Sequence, residues 1–324
     1  MRAVVCEAYG PVEDLKFTEV DVPVAGEGEV LIDVVAAGCN APDALIIQGE
    51  YQIKPTPPFS PGGEGAGVIS ALGKGVEGFK EGDRVLFYSL HGAFADKIVV
   101  AVDSVVGIPD EMPMDIAAGF MAAYGTSYHA FKQRAMVQPG EHVLVLGAGG
   151  GVGLAAVNVA KAMGAKVIAS DIGEEKLNVC LELGADWAID PTKQDLKKSL
   201  LEITGRSDVD VTLDTVGGDV SEQVFRLMAV YGRHLVIGFV AGSIPRLPLN
   251  LPLLKEASVV GVFWNSFLMR EHSRHLENMR ELYQLHKEGA LKPVVCQKFP
   301  LEEYASAFEF IAQRRAIGKV VLDI

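Results

Sequence analysis

The stretch that most constrains this chain is His142-Val-Leu-Val-Leu-Gly-Ala-Gly-Gly-Gly-Val-Gly-Leu-Ala-Ala156. Its four apolar residues 143–146 read as a strand buried on both faces, as in a parallel sheet covered by helices. A glycine-rich turn follows, and a helix opens directly after it. Strand, turn and helix start in that order leave free backbone N–H groups at a helix N-terminus, which is where phosphate binds. Gly147 and Gly150 let the chain turn and approach a pyrophosphate, and Gly153 lets the new helix pack closely on the strand. The cradle is therefore read as Gly147, Ala148, Gly150, Gly151, Val152 and Gly153. Its spelling is Ala148-x-Gly150-x-x-Gly153, with alanine where the dinucleotide fingerprint has its first glycine.

The context around this turn supports the reading. From His142 onward apolar strands and helical stretches alternate, with strands expected near 142–147, 166–170, 186–189, 209–214, 232–237 and 257–262. Helices are expected to begin near Val152, Glu174, Lys193, Asp219 and Leu251. Spacings of this kind suit right-handed strand–helix–strand crossovers and a doubly wound parallel sheet. Up to about residue 120 the signals are different: short apolar alternations punctuated by Pro57-Pro58, Pro61-Gly62-Gly63 and Glu81-Gly82-Asp83, which predict a mostly β unit. After residue 268 an amphipathic helix over 271–287, an extended stretch over 293–299, a helix over 301–313 and a strand over 319–323 are too short for a third domain. The expectation is a first domain of residues 1–122 plus 269–324 with a nucleotide-binding domain, residues 123–268, inserted in it and a cleft between the two.

Asp171 follows the second strand about 20 residues past the turn, where an acid can accept hydrogen bonds from the ribose hydroxyls of a dinucleotide. A 2'-phosphate there would meet like charge, which favours NADH over NADPH. Lys176 lies five residues on and is a source of compensating positive charge. An acid at this place also suits a helix N-cap or first turn.

Composition narrows the partners. With 29 basic and 42 acidic residues the formal net charge is -13, which disfavours nucleic acid and anionic membranes as partners. Cys6, Cys39, Cys180 and Cys296 are far apart and spell neither a zinc knuckle nor a disulfide framework. Met1-Arg-Ala-Val-Val5 reads directly into a strand with no secretory pattern before it, so a cytoplasmic protein without membrane spans is expected.

Several further motifs run from end to end: Ala37-Gly-Cys-Asn-Ala-Pro-Asp43, Gly49-Glu-Tyr51, Pro61-Gly-Gly-Glu-Gly-Ala-Gly67, Gly82-Asp-Arg-Val85, Tyr124-Gly-Thr-Ser-Tyr128, Asp214-Thr-Val-Gly-Gly218 and Gly318-Lys-Val-Val321. Together with the glycine turn, they make the whole chain resemble the zinc-free quinone oxidoreductases of the medium-chain dehydrogenase/reductase family. The resemblance implies an α/β fold, a Rossmann domain inserted in a mostly β, GroES-like catalytic domain. Zinc-dependent alcohol dehydrogenases of the same larger family carry Cys, His and Cys ligands where this chain has Asn40, Gly63 and a position near Ala118. None of these suits zinc, and no metal site is expected. Cys39 is one residue out of register and reads as a small buried residue.

By the same resemblance, Asn40, Asp43 and Tyr51 would line the cleft and Thr126 and His129 would lie near the nicotinamide, with Asn40, Asp43, Tyr51 and Thr126 as the candidate catalytic residues. Gly238, Phe239, Val240, Phe263 and Trp264 would cup the cofactor, Trp264 also being a candidate pocket wall or an aromatic contact in a dimer. Packed core is the competing role for Tyr51 and His129. The cofactor implied is NAD(P)H: NADPH by family expectation, NADH by Asp171 and by Pro191, which stands where NADPH-using members carry tyrosine. The expected activity is hydride transfer to a small-molecule quinone. The alternatives are reduction of an enone or enal, or dinucleotide binding with a mainly structural or regulatory role. A homodimer that pairs the strand near 257–262 with its copy is also implied.

Overall fold

The computed structural model describes all 324 residues and divides them into two compact units, Met1–Ala122 with Val294–Ile324, and Ala123–Pro293. The first unit begins with β1 (Arg2–Val5) paired antiparallel to β2 (Lys16–Glu19). In β3 (Glu29–Cys39) the buried residues Val30, Ile32, Val34 and Ala36 recur at the period of two that turns one strand face to a core. α1 (Ala41–Ile47) follows, then β4 (Glu64–Leu72), β5 (Arg84–Tyr88), β6 (Lys97–Ala101), β7 (Val105–Gly107) and α2 (Met114–Ala118).

α3 (Phe120–His129) leads into the second unit, widens into a π-helical turn over Ala130–Ala135 and ends at Met136 with φ 50°. Alternation then sets in: β8 (His142–Leu146), α4 (Gly151–Ala162), β9 (Lys166–Ser170), α5 (Glu174–Glu182), β10 (Trp187–Ile189), α6 (Leu196–Thr204), β11 (Val209–Asp214), α7 (Asp219–Phe225), β12 (Met228–Val236), α8 (Asn250–Lys255) and β13 (Ser258–Gly261). These strands form one sheet in the order β10-β9-β8-β11-β12-β13, with every pairing parallel. The chain runs outward from β8 to β10, then returns to the other side of β8 for β11. That reversal opens a crevice beyond the C-terminal ends of β8 and β11, the switch point at which doubly wound sheets take ligands.

Two further helices belong to this unit, α9 (Trp264–Arg270) and α10 (His272–Lys287). The sequence pattern anticipates α10 but places it with the returning tail, and α9 has no counterpart in it. The reason for the correction is polar: α10 is tied to the helix that enters the unit. Tyr128 Oη donates to Glu281 Oε2 at 2.5 Å, Lys132 pairs with the same carboxylate, and Gln133 Nε2 donates to Asn278 Oδ1 at 2.9 Å. The shared boundary therefore falls at Pro293 rather than 268.

Two starts also shift. α6 begins at Leu196, not near Lys193, because Asp190 O accepts Lys193 N and Gln194 N in a turn and Asp195 caps the helix by accepting Lys198 N at 2.8 Å. β12 begins at Met228 because a register shift opposite Val209 and Val211 lets it pair earlier than its apolar run suggests.

The last segment, β14 (Val295–Pro300), α11 (Tyr304–Ala312) and β15 (Lys319–Asp323), completes the first unit. Its seven-stranded sheet runs β14-β15-β3-β4-β5-β7, with β6 also paired to β3. Ile32, Phe87, Phe94, Leu301, Phe308 and Leu322 meet in its core, where each large side chain contributes about 1.5–3 kcal/mol by leaving water. No helix of the chain is long and apolar enough to cross a membrane.

Within α10, His275 is 1% exposed, neither ring nitrogen has a hydrogen-bond partner, and it meets Trp264 edge-on at 5.8 Å. Burial, reinforced by His272, pushes its pKa down from 6.5 to about 4. The unfolded chain then binds the proton more readily, so stability falls as pH drops from 6.5 through 4. Chemical denaturation of His275→Phe should show a shallower loss over that window, by up to roughly 3 kcal/mol, than the unaltered protein.

Candidate active site

The glycine turn expected to cradle a dinucleotide forms where β8 ends. Gly147 turns the chain with φ 70°, and its N–H donates to Ser170 O of β9 at 3.0 Å. A side chain there would strike Thr215 Oγ1 at 2.4 Å, so both its angle and its surroundings require glycine. Ala148 needs no such freedom: it is fully buried, and its N–H shares Ser170 O at 3.2 Å. Alanine in place of the first fingerprint glycine is thus compatible with the turn, because the positive φ falls one residue earlier.

Gly150 caps α4, which starts with Gly151 and Val152, and Leu154 N closes the first turn on Gly150 O at 2.8 Å. A Cβ on Gly153 would lie 2.0 Å from Gly147 O, so only glycine lets the helix approach the strand end this closely. The space above Gly150 is open, since an added Cβ would meet only Gly147 O, at 3.5 Å. Free first-turn N–H groups, close helix approach and open space over Gly150 fit a pyrophosphate.

Asp171 stands at the end of β9, but it braces the turn rather than capping a helix, because α5 is capped by Gly173. Its Oδ2 accepts Gly149 N and its Oδ1 accepts Ile172 N, both at 2.7 Å. Lys176 Nζ lies 4.0 Å from Asp171 Oδ1, and the stem of Lys176 covers Gly149 so closely that a Cβ there would sit 2.8 Å from it. Negative and positive groups therefore stand side by side at the expected ribose corner. Pro191 is exposed just beyond β10.

On the other side of the crevice Gly238, Phe239 and Val240 follow β12. Gly238 N donates to Asp214 O at 3.3 Å and Val240 N to Thr215 O at 3.1 Å, leaving Phe239 and Val240 exposed. Phe263 is also exposed, whereas Trp264 is 5% exposed and lies against Gly125, where a Cβ would be 2.7 Å from the indole. As placed, Trp264 is packed within its own unit and not an open wall. Thr126 is half-buried on α3. His129 is buried, stacks on Phe267 at 4.1 Å, and is held neutral by burial that lowers its pKa.

The first unit holds a separate polar cluster. Asn40 precedes α1, and its side chain is engaged at both ends: Oδ1 accepts Lys319 Nζ at 2.6 Å, and Nδ2 donates to Glu64 Oε1 at 2.9 Å. Lys319 Nζ also donates to Glu64 Oε1 at 2.5 Å, while Glu64 Oε2 accepts Ala122 N at 3.0 Å. Glu64 and Lys319 are 1% and 7% exposed, an ion pair almost wholly removed from water. Gly38 makes room for it, since a Cβ there would lie 2.7 Å from Glu64 Oε1.

Asp43, also buried, accepts Asn40 N at 2.7 Å. Burial pushes its pKa up to about 7 against the pull of Asn40 N–H and Lys319, and Glu64 adds to the rise. The Tyr51 phenol is raised too, by burial and by Asp43. Glu64 and Lys319 have no assigned role in the sequence pattern. Their signal was there: one charge inside Gly-Gly-Glu-Gly-Ala-Gly and one opening the apolar strand Lys-Val-Val-Leu.

The resemblance sets Asn40 and Gly63 against the zinc ligands of zinc-dependent alcohol dehydrogenases. Gly63 has no side chain, and a Cβ there would reach to within 3.6 Å of Asp43 Oδ1. The Asn40 amide is taken up by Lys319 and Glu64, and Cys39 is buried with its thiol pKa raised by burial. No group of three or more His, Cys, Asp or Glu side chains converges anywhere in the chain. This donor set does not fit zinc.

The sheet order, the glycine cradle and the mostly antiparallel first unit define a class of dinucleotide-binding oxidoreductases. Residues 151–283 match the zinc-binding dehydrogenase family and residues 26–124 the alcohol dehydrogenase GroES-like domain. Among relatives, quinone oxidoreductase-like protein 2 of Rattus norvegicus is 36% identical over 324 residues, covering 100% of this chain and 92% of its own length. The structure of Escherichia coli quinone oxidoreductase complexed with NADPH superposes with a TM-score of 0.94 at 29% identity, covering 100% of both chains. A structure of an NAD-dependent alcohol dehydrogenase superposes with a TM-score of 0.91 at 31% identity, again over 100% of both. The chain belongs to the medium-chain dehydrogenase/reductase family and, within it, to the quinone oxidoreductase group.

The buried pair carries a stability prediction. Lys319→Met leaves Glu64 charged and unpaired in the interior and should cost about 3–5 kcal/mol in chemical denaturation. Adding Glu64→Met to it should recover most of that loss, because no buried charge then remains.

Proposed function

We propose that this protein is a metal-independent, NAD(P)H-dependent reductase whose electron acceptor is a quinone. The observation that carries the reading is a complete glycine cradle in the second unit, accompanied in the first by zinc-ligand positions filled with Asn40 and Gly63. The similarity to quinone oxidoreductases over the full length supports it. A dihydronicotinamide held on the glycine cradle would supply a hydride, which a quinone accepts readily because the product is an aromatic hydroquinone.

Reduction consumes one hydride and one proton, the proton drawn from water, so the protein itself must bind and orient the acceptor and supply a hydrogen bond to its oxygen. Tyr51 suits that role, since with its phenol pKa raised it stays protonated and remains a donor throughout the neutral range. Asp43 supports it as a buried carboxyl near neutrality. Asn40, held by Lys319 and Glu64, gives the cluster a fixed geometry and presents no freely rotating amide. Thr126 remains a candidate for orienting the substrate or the nicotinamide. The free edge of β13, with Val259 half exposed, is the surface on which a second copy would extend the sheet into a homodimer.

Purified, chelator-treated protein is expected to oxidise NADH or NADPH in the presence of simple quinones. Activity with enones or enals but not quinones would move the assignment to an activated-alkene reductase, and tight cofactor binding without any turnover would make the protein a binding module.

Asp171 favours NADH, with Lys176 as the counterweight for a 2'-phosphate. Asp171→Ser should raise the ratio of kcat/KM for NADPH over NADH by about tenfold or more, as loss of one repulsive charge implies. An unchanged ratio would remove Asp171 from cofactor choice and leave it its hydrogen bonds to Gly149 and Ile172.

A further inference from the structure

The motif Asp214-Thr-Val-Gly-Gly218 has no place in the chemistry described so far, yet it is built around one of the most heavily bonded side chains in the protein. Asp214 is the last residue of β11 and is 3% exposed. Its Oδ1 accepts the N–H groups of Val216 at 2.8 Å and Gly217 at 2.9 Å. Its Oδ2 accepts Ser221 Oγ at 2.5 Å, and His234 Nε2 lies 3.3 Å away. Four donors use the capacity of a carboxylate, so Asp214 has nothing left to offer a ligand. His234 is 3% exposed and its Nδ1 has no partner, so Nε2, facing Asp214, is the ring nitrogen that bonds.

What the carboxylate holds is a turn, and the turn touches both walls of the crevice. On one side Thr215 Oγ1 donates to Leu146 O at 2.9 Å, immediately before Gly147, whose missing side chain leaves the space that Thr215 occupies. On the other side Thr215 O accepts Val240 N at 3.1 Å, Val216 O accepts Ala241 N at 2.8 Å, and Gly218 N donates to Ser243 O at 3.0 Å. Gly217, with φ 71°, sits so near Phe239 that a Cβ would be 2.8 Å from its ring. The turn after β11 is therefore wedged between the glycine cradle and the loop after β12, and bonded to each.

We propose that Asp214, fixed by Ser221 and His234, is the positioning anchor of the dinucleotide cradle: without touching the cofactor it sets the spacing between the turn at Gly147 and the loop at 238–243. The proposal rests on the reading of that crevice as a dinucleotide site. Ser221 contributes from the first turns of α7 and His234 from β12, so the anchor joins three successive elements of the sheet's second half. A carboxylate suits the position because it alone can accept from two backbone amides and two side chains at once.

The test is titration of NADH and NADPH into the full-length protein without quinone, followed by steady-state kinetics. Ser221→Ala and His234→Leu each remove one charge-assisted hydrogen bond and should weaken cofactor binding by about tenfold. The KM for cofactor should rise in step, while kcat at saturating cofactor and the KM for quinone stay within about twofold, since the interaction lost is one of cofactor binding alone. His234→Gln, which keeps an N–H donor on a side chain of similar reach, should recover most of the affinity. A merely structural role would lower the melting temperature of Ser221→Ala and His234→Leu but leave the affinity of the folded protein unchanged, and that result overturns the proposal. Equal affinity of His234→Gln and His234→Leu would overturn it as well. If the unaltered protein bound neither nucleotide, the dinucleotide reading itself would fall and the anchor with it; normal binding in every variant would sink only the anchor.

Discussion

The second unit depends on how closely a helix can approach the end of a strand. Gly153 lies so near Gly147 O that no other residue fits between them, and this contact brings the N-terminus of α4 to the mouth of the crevice. From it follow the free N–H groups, the room above Gly150 and the path of the chain into β9. Two carboxylates then stiffen the arrangement from either side, Asp171 through Gly149 and Asp214 through the turn after β11. Neither carboxylate spends its strongest bonds outward. Much of a binding site's precision lies in groups that never reach the ligand, because a flexible cradle would lose affinity to its own ordering.

In the first unit the corresponding constraint is a buried charge. Lys319 and Glu64 lie in the interior together, and an ion pair there persists only when each partner's remaining hydrogen bonds are met. Asn40 and Ala122 meet them. The result is a polar corner made from β3, β4 and β15, three strands that neighbour one another in the sheet but are distant along the chain. Positive charge at this corner comes from an ammonium group held by hydrogen bonds to Asn40 and Glu64. Asp43, pushed up toward neutrality by the same burial, makes the corner sensitive to protons as well as to geometry.

Particular residues show how far pattern alone could reach. The glycine turn was legible because its shape depends on backbone angles and on the absence of side chains, which sequence states directly. β9 and β11 fall where the apolar runs place them, since a strand covered on both faces has no choice but to be apolar. α10 was legible as a helix but not as part of the second unit, because its allegiance is decided by Tyr128, Lys132 and Gln133, far away in sequence. Trp264 reads as a pocket wall when only its residue type is known. It proves buried because Gly125 leaves a place for the indole.

By itself the sequence determined the alternation of elements, the glycine turn and the lack of zinc-ligating side chains at Asn40 and Gly63, all of which are local properties of residue type and spacing. Only the tertiary structure decided which charges meet. Glu64 and Lys319 are 255 residues apart, and Asp214 draws its donors from both a helix and a neighbouring strand. Such groupings are set by sheet register and by the cost of leaving a buried charge unpaired, and neither is written in any short stretch of chain.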